Sequence, residues 1–230
     1  MSPISLSTSV IIPVLNGERH LAEALASVIC QLGKRDEILV VDDGSTDGTS
    51  EALRPYRGRV TVLQGPGRGP SAARNIALAV ARGHFIAFLD HDDLWPAGRH
   101  AALTAALCNG SADAVVGRIR ILIEEACEDT SEYIRHYEGK HHPPILMSCL
   151  YRRRLIEQVG FFDETLRFGE DTDYYLRLRE AGASYAQCDA DSLIYRRHSG
   201  NATNNRPPQT AVSFDILARK RARQRKAADD

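Results

Sequence analysis

A chain of 230 residues, 43% apolar and 26% charged, has the length and make-up to bury one sizeable core as a soluble globular domain. Its formal net charge of -1 supplies no field that would draw nucleic acid, which is therefore not an expected partner. The five cysteines (Cys30, Cys108, Cys127, Cys149, Cys188) are scattered and form no C-x-x-C pair, which argues against a disulfide frame or zinc site and for buried, reduced thiols in a cytoplasmic protein.

Met1 to Thr8 has neither a basic region nor an apolar stretch, so no secretory leader is expected. Nor does any apolar run reach the roughly 18 residues of a spanning helix. The first strand is expected over Val10–Leu15, with Pro13 near its end because proline cannot donate to a ladder. Asn16-Gly17-Glu18 turns the chain, and Leu21, Leu25, Val28 and Ile29 recur at helical spacing to about Gln31. A second strand, Glu37–Val41, ends in Asp42-Asp43-Gly44-Ser45-Thr46-Asp47, where Ser45 or Thr46 is the expected cap of a helix reaching Leu53.

Val60–Leu63 reads as a third strand, followed by the glycine loop Gly65-Pro66-Gly67-Arg68-Gly69-Pro70 and a helix opened by Ser71. The fourth strand, Phe85–Leu89, is apolar throughout and runs into Asp90-His91-Asp92-Asp93. Strand and helix alternate in this way four times, which implies a doubly wound, mostly parallel sheet flanked by helices in three α/β/α layers.

Beyond it, Trp95-Pro96 is expected to open a helix to about Leu107, and Ala114–Ile123 to form one or two strands. Glu124–His142 reads as a polar, mobile excursion over one face. Ile145–Tyr151 is expected as a strand, Arg152–Val159 as a helix, Phe168–Asp173 as the lead into a helix to Ala181, and Ser184–Tyr195 as a final strand pair. From Ala218 the cations Arg219, Lys220, Arg221, Arg223, Arg225 and Lys226 suggest a solvated, partly helical tail with weak affinity for an anionic membrane surface. The division expected is 1–205 as one domain, with halves at 9–95 and 96–205, and 206–230 as the tail.

Three carboxylates within four positions at a strand end repel one another unless a cation or donors compensate. Hard oxygen ligands suit Mg²⁺ or Mn²⁺, and such an ion usually also holds substrate phosphates. A metal-diphosphate site is one reading; an acidic loop that caps the following helix, with Asp92 or Asp93 at its N-terminus, is the plainer one. Gly65, Gly67 and Gly69 also follow a strand and precede a helix, as in a dinucleotide fingerprint, but Pro70 stands where that fingerprint wants its third glycine.

Five motifs in order carry a resemblance: Val10–Asn16, Val40–Asp47, Ser71–Asn75, Phe88–Asp93 and Gly169-Glu170-Asp171. The chain resembles the family 2 glycosyltransferases, of the nucleotide-sugar-binding fold called GT-A, over about residues 9–200. The resemblance implies an inverting transfer of a single sugar from a nucleotide-diphosphate sugar to a hydroxyl of a sugar, lipid-linked or other acceptor, with Mg²⁺ or Mn²⁺, and a location in the cytoplasm or at the inner membrane face. UDP is favoured as the nucleotide. Pro13, Val14, Leu15, Asn16 and Glu18 would line the nucleotide pocket, partly through backbone.

Asp42 matches the carboxylate that accepts the uracil N3–H, with Asp43 beside it as nucleotide contact or turn former. Arg74 matches the basic residue that meets the nucleotide, or is a surface arginine at a helix start. Asp90, His91 and Asp92 match the D-x-D, with Asp90 toward the ribose, His91 the variable middle and Asp92 the metal ligand. His198 falls where the fold often supplies a late residue to the metal or diphosphate. Asp171 aligns with the general base, or caps its helix. A nucleotide-sugar-binding protein without turnover shares every one of these positions.

Overall fold

A computed structural model of the protein describes residues 6–124, 136–143, 145–166, 168–201, 215–223 and 225. Strands β1 (Thr8–Val14), β2 (Glu37–Asp42), β3 (Thr61–Gln64), β4 (Phe85–Phe88), β5 (Ala114–Ile123), β6 (Cys149–Arg152) and β7 (Tyr185–Arg197) form one sheet in the order β3-β2-β1-β4-β6-β5-β7. The pairs β1–β2, β1–β4, β2–β3 and β5–β7 are parallel, while β6 runs antiparallel to β4 and β5, so the sheet is mostly parallel, as expected. The flanking helices are α1 (Leu21–Ile29), α2 (Thr49–Leu53), α3 (Pro70–Val80), α4 (Arg99–Asn109), α5 (Arg153–Val159) and α6 (Glu170–Glu180), with a further helix over 215–223.

The β-branched run of β1 lies at the centre of the parallel part, and Val10, Ile11 and Ile12 are fully buried. Each such side chain contributes roughly 1.5–3 kcal/mol by leaving water. The chain steps from β1 outward to β2 and β3, then returns to the other side of β1 as β4. That reversal is a topological switch point, and it opens a crevice at the carboxyl ends of β1 and β4.

Several boundaries differ from the expectations, each for a local reason. Helix α2 begins at Thr49 with Gly48 as its flanking residue, so neither Ser45 nor Thr46 caps it; both are drawn toward Asn16 instead, Ser45 Oγ accepting the Asn16 N–H and the Thr46 N–H donating to Asn16 Oδ1. Helix α4 begins at Arg99 rather than at Pro96. Leu94 is held extended by a bridge to Ile194, Trp95 is disfavoured in helix by the proline after it, and Gly98 is left-handed at φ 78°. Helix α3 starts at Pro70, one residue before Ser71, where the ring's fixed φ suits the first helical position.

Residues 146–148 form a 3-10 turn before the short strand β6. The strand pair expected over Ser184–Tyr195 is a single strand of 13 residues. Its pairing with β5 shifts register on both sides of Arg118, where a Cβ on Gly117 would collide with Ser192, so the break between the two expected strands is an irregularity within one strand. Only Cys149 of the described cysteines is buried; Cys30 and Cys108 are exposed. Cys127 lies outside the described residues, as do 125–135 of the expected excursion and 202–214.

Candidate active site

The register Val14↔Asp42 brings the ends of β1 and β2 level, and the Leu89 N–H donates to the Ile11 carbonyl at 3.0 Å, so Asp90–Asp93 leave β4 beside them. Pro13 and Val14 are buried within β1, Leu15 is half exposed, and Asn16 takes a left-handed φ of 53°, which asparagine tolerates better than most residues. Glu18 Oε2 accepts the Gly48 N–H at 3.0 Å, so this carboxylate ties the first loop to the second. His91 packs against that first loop: a Cβ on Gly17 would come within 2.8 Å of its ring.

The two neighbouring aspartates do different work. Asp42 Oδ1 accepts the Ser45 N–H at 2.8 Å, which leaves the carboxylate further acceptor capacity. Asp43 is buried, and its two oxygens accept the Gly67 and Gly69 N–H groups at 2.9 and 2.6 Å. Asp43 is thus the anchor of the glycine loop. Those two amides are the ones a dinucleotide fingerprint would turn toward a pyrophosphate, so the fingerprint reading of this loop fails.

Arg74 is buried, not a surface arginine, and is the hub of the site. Its Nη2 donates to Asp90 Oδ1 at 2.8 Å, and its Nη1 to Asp171 Oδ1 at 3.0 Å and Glu170 Oε1 at 3.5 Å. Burial works against this charge, but the carboxylates of Asp171, Asp90 and Glu170 outweigh it and hold the guanidinium above its ordinary pKa. One side chain therefore binds the end of β4 to the start of α6. Gly169 flanks α6, with Glu170 and Asp171 in its first turn, so Asp171 does not cap it.

Asp92 and His198 meet: Asp92 Oδ2 lies 3.0 Å from His198 Nε2 and accepts from Asn201 Nδ2 at 3.2 Å. Burial raises the Asp92 pKa, but the His198 hydrogen bond and the nearby His91 and His198 charges bring it below the usual carboxylate value. The Asp92 carboxylate is the hard oxygen donor that Mn²⁺ or Mg²⁺ prefers, and the His198 imidazole lies in hydrogen-bond contact with it. Among the described residues no group of three or more His, Cys, Asp or Glu side chains could enclose an ion. An ion bound here would be held by Asp92, with His198 beside it, and would need further donors from outside the protein.

Asp93 does not cap α4. It is buried, its Oδ1 accepts the Arg196 N–H at 2.8 Å, and burial, followed by the charges of Asp92 and Asp90, pushes its pKa well up. Arg196 also donates to the Asp92 carbonyl, Glu124 and Glu23, and His20 reaches Glu124 at 3.1 Å while its ring centroid lies 4.6 Å from that of His198.

Glu124, His20 and Asn201 escaped the sequence reading. Only Asn201 left a signal, as an asparagine three residues beyond His198, where its Oδ1 accepts the His198 N–H to close a turn. Trp95 is core, with the Arg99 guanidinium 4.0 Å above its ring and His100 stacked beside it.

The family model described as glycosyl transferase family 2 matches residues 9–160. An uncharacterized glycosyltransferase, EpsJ of Bacillus subtilis, is 27% identical over 217 residues, covering 85% of this chain and 62% of EpsJ. The pre-mycofactocin glycosyltransferase of Mycobacterium tuberculosis is 33% identical over 198 residues, covering 79% of this chain and 41% of that protein.

The chain thus spans less than two thirds of the length of these curated relatives. The crystal structure of S. aureus TarS 1–349 in complex with UDP-GlcNAc superposes with a TM-score of 0.74 at 21% identity, over 92% of this chain and 64% of that one. With its α/β sheet, its acidic strand ends and a family match over most of its length, the chain belongs to glycosyl transferase family 2.

Proposed function

We propose that the protein transfers a single sugar, with inversion, from a nucleotide-diphosphate sugar to a hydroxyl acceptor, as a step in polysaccharide, glycolipid or other glycoconjugate synthesis. The observation that carries this reading is the Arg74 fork, which holds Asp90 of the D-x-D and Asp171 within the span of one guanidinium. Holding a nucleotide-binding carboxylate and a base in one fixed frame is the positioning that an in-line displacement needs.

Asp42 and the Pro13–Glu18 loop receive the nucleotide, and a uracil N3–H is the donor that an acceptor-only carboxylate at Asp42 suits. TarS was crystallised with UDP and with UDP-GlcNAc, which favours UDP here as well. Asp92, with His198 beside it, would hold a divalent ion, which would supply charge neutralisation for the departing diphosphate. Asp171 takes the proton of the acceptor hydroxyl as its oxygen bonds to the anomeric carbon and the bond to the diphosphate breaks. The nucleophile enters opposite the leaving group, so the configuration inverts.

The acceptor lies over Glu124–Pro144 and the segment after Gly200, most of it outside the described residues. Among the described residues no helix is long and apolar enough to cross a membrane. Arg219, Lys220 and Arg223 are paired within the chain, which reduces the charge they could offer to an anionic surface at the inner membrane face.

A thermal-shift screen of UDP-, GDP- and dTDP-sugars with Mn²⁺ or EDTA, followed by turnover of the stabilising donor, tests the proposal. Asp92→Ala removes the Mn²⁺-dependent shift, and Asp171→Asn keeps it but abolishes transfer. Donor binding with no release of nucleoside diphosphate under any acceptor would establish the binding-protein alternative instead.

A further inference from the structure

The expected solvated tail is a docked element. Residues 215–223 are helical, and Ile216 is only 3% exposed. Arg219 Nη1 donates to Asp163 Oδ2 at 2.6 Å and to Thr165 Oγ1 at 2.8 Å, in the turn that leads to α6. Arg223 Nη1 donates to Asp173 Oδ1 at 2.9 Å, and its Nε to Glu180 Oε2 at 3.2 Å. Lys220 Nζ lies 3.9 Å from Glu180. Asp173 itself is 1% exposed, so a fully desolvated carboxylate is met here by Arg223 and, from its own helix, by Arg177 at 3.2 Å. A buried carboxylate is tolerated only when it is paired in this way.

The placement of these contacts gives them meaning. Asp171 and Asp173 are two positions apart, and at about 100° per residue they point to nearly opposite sides of α6. Arg74 holds one side of the first turn through Glu170 and Asp171. Arg223 holds the other through Asp173, while reaching Glu180 two turns further along. Arg219 fixes the approach to the same turn.

We propose that the 215–223 helix is a clamp on the base-bearing turn, with Arg223 and Arg219 as positioning residues that act on Asp171 through Asp173 and the 163–165 turn. The inference rests on the assignment of Asp171 as the base. Its chemistry predicts a split: loss of the clamp lets the turn open, and turnover falls while the donor pocket, built by β1, β2 and β4, is untouched.

The test is hydrogen exchange and steady-state kinetics on the full chain bearing Arg223→Gln, Arg223→Lys or Arg219→Gln. In Arg223→Gln the amides of residues 169–175 exchange on the order of 10-fold faster than in the wild type, while those of β1 and β4 do not change. Its kcat falls about 10-fold with UDP-sugar KM within two-fold, and Arg223→Lys recovers part of both. Wild-type exchange at 169–175 in a folded Arg223→Gln protein overturns the clamp. So does a kcat within two-fold of wild type when Asp171→Asn is inactive.

If Asp171→Asn is itself active, the base assignment falls, and the exchange data still decide whether the helix holds the turn. Should Arg223→Gln open β1 and β4 as well, Arg219→Gln answers the same question from the milder side, with the same two readouts.

Discussion

Arg74 offers the sharpest test of how this site is held. Replacing it with Met keeps much of the volume and removes the charge shared by Asp90, Glu170 and Asp171, which sit 2.8, 3.5 and 3.0 Å away. Removing one partner of a buried ion pair costs about 3–5 kcal/mol. The low end applies here, because the three carboxylates are 31%, 13% and 22% exposed and regain some water.

About 3 kcal/mol in a chain of this size lowers Tm by roughly 6–12 °C. Arg74→Lys separates charge from geometry. An ammonium restores a cation but cannot fork across Asp90 and Asp171 at once. Tm then recovers by about half, while Asp171 drifts, and a misplacement near 1 Å costs about 100-fold in turnover. The assays are differential scanning fluorimetry, donor binding by calorimetry and release of nucleoside diphosphate. A wild-type Tm in Arg74→Met, or an Arg74→Lys enzyme that loses donor affinity while keeping kcat, refutes this reasoning and returns Arg74 to the role of a direct nucleotide contact.

Three further outcomes are expected. A Cβ on Gly65 would collide with the Asp43 carboxylate that anchors the glycine loop, so Gly65→Ala lowers Tm by several degrees for an overpacking cost of about 1–3 kcal/mol and weakens UDP-sugar binding in a calorimetric titration. His100, against Trp95 and hydrogen-bonded to Thr8 Oγ1, has its pKa lowered by burial, so the unfolded chain binds a proton that the folded one resists. Its contribution to stability is complete above the ordinary histidine value near 6.5 and is lost as pH falls below it, by at most about 1.4 kcal/mol per pH unit; Tm measured at pH 7.5 and 5.5 differs less in His100→Gln than in the wild type. Arg99 is fully buried and donates to the carbonyls of Ser192, Met147 and Cys149, so Arg99→Met strands these acceptors and lowers Tm by about 6–12 °C, for roughly 3 kcal/mol, with kcat of the remaining folded enzyme unchanged.

The alternation of apolar strands and amphipathic helices, and the acidic residues that end β2 and β4, are properties of neighbours in sequence. They were legible because burial on both faces of a parallel strand demands an unbroken apolar run, and the crevice lies where such runs stop. The candidate nucleotide and metal positions followed from the same logic joined to the family resemblance. What each charged side chain does was decided only in three dimensions. Asp43 and Asp42 are adjacent and chemically identical, yet one is buried under the glycine loop and the other lies at the crevice, because the loop's amides are delivered from 24 and 26 residues away.

Arg74 meets Asp171 across 97 positions, and Arg223 meets Asp173 across 50. Nothing in local periodicity encodes such pairs. The run of cations near residue 220 looked like a solvated tail for the same reason: its partners on α6 and the turn before it are distant in sequence. Desolvating a carboxylate is costly enough that the fold must bring it a cation, and only the packing of the whole chain determines which one arrives.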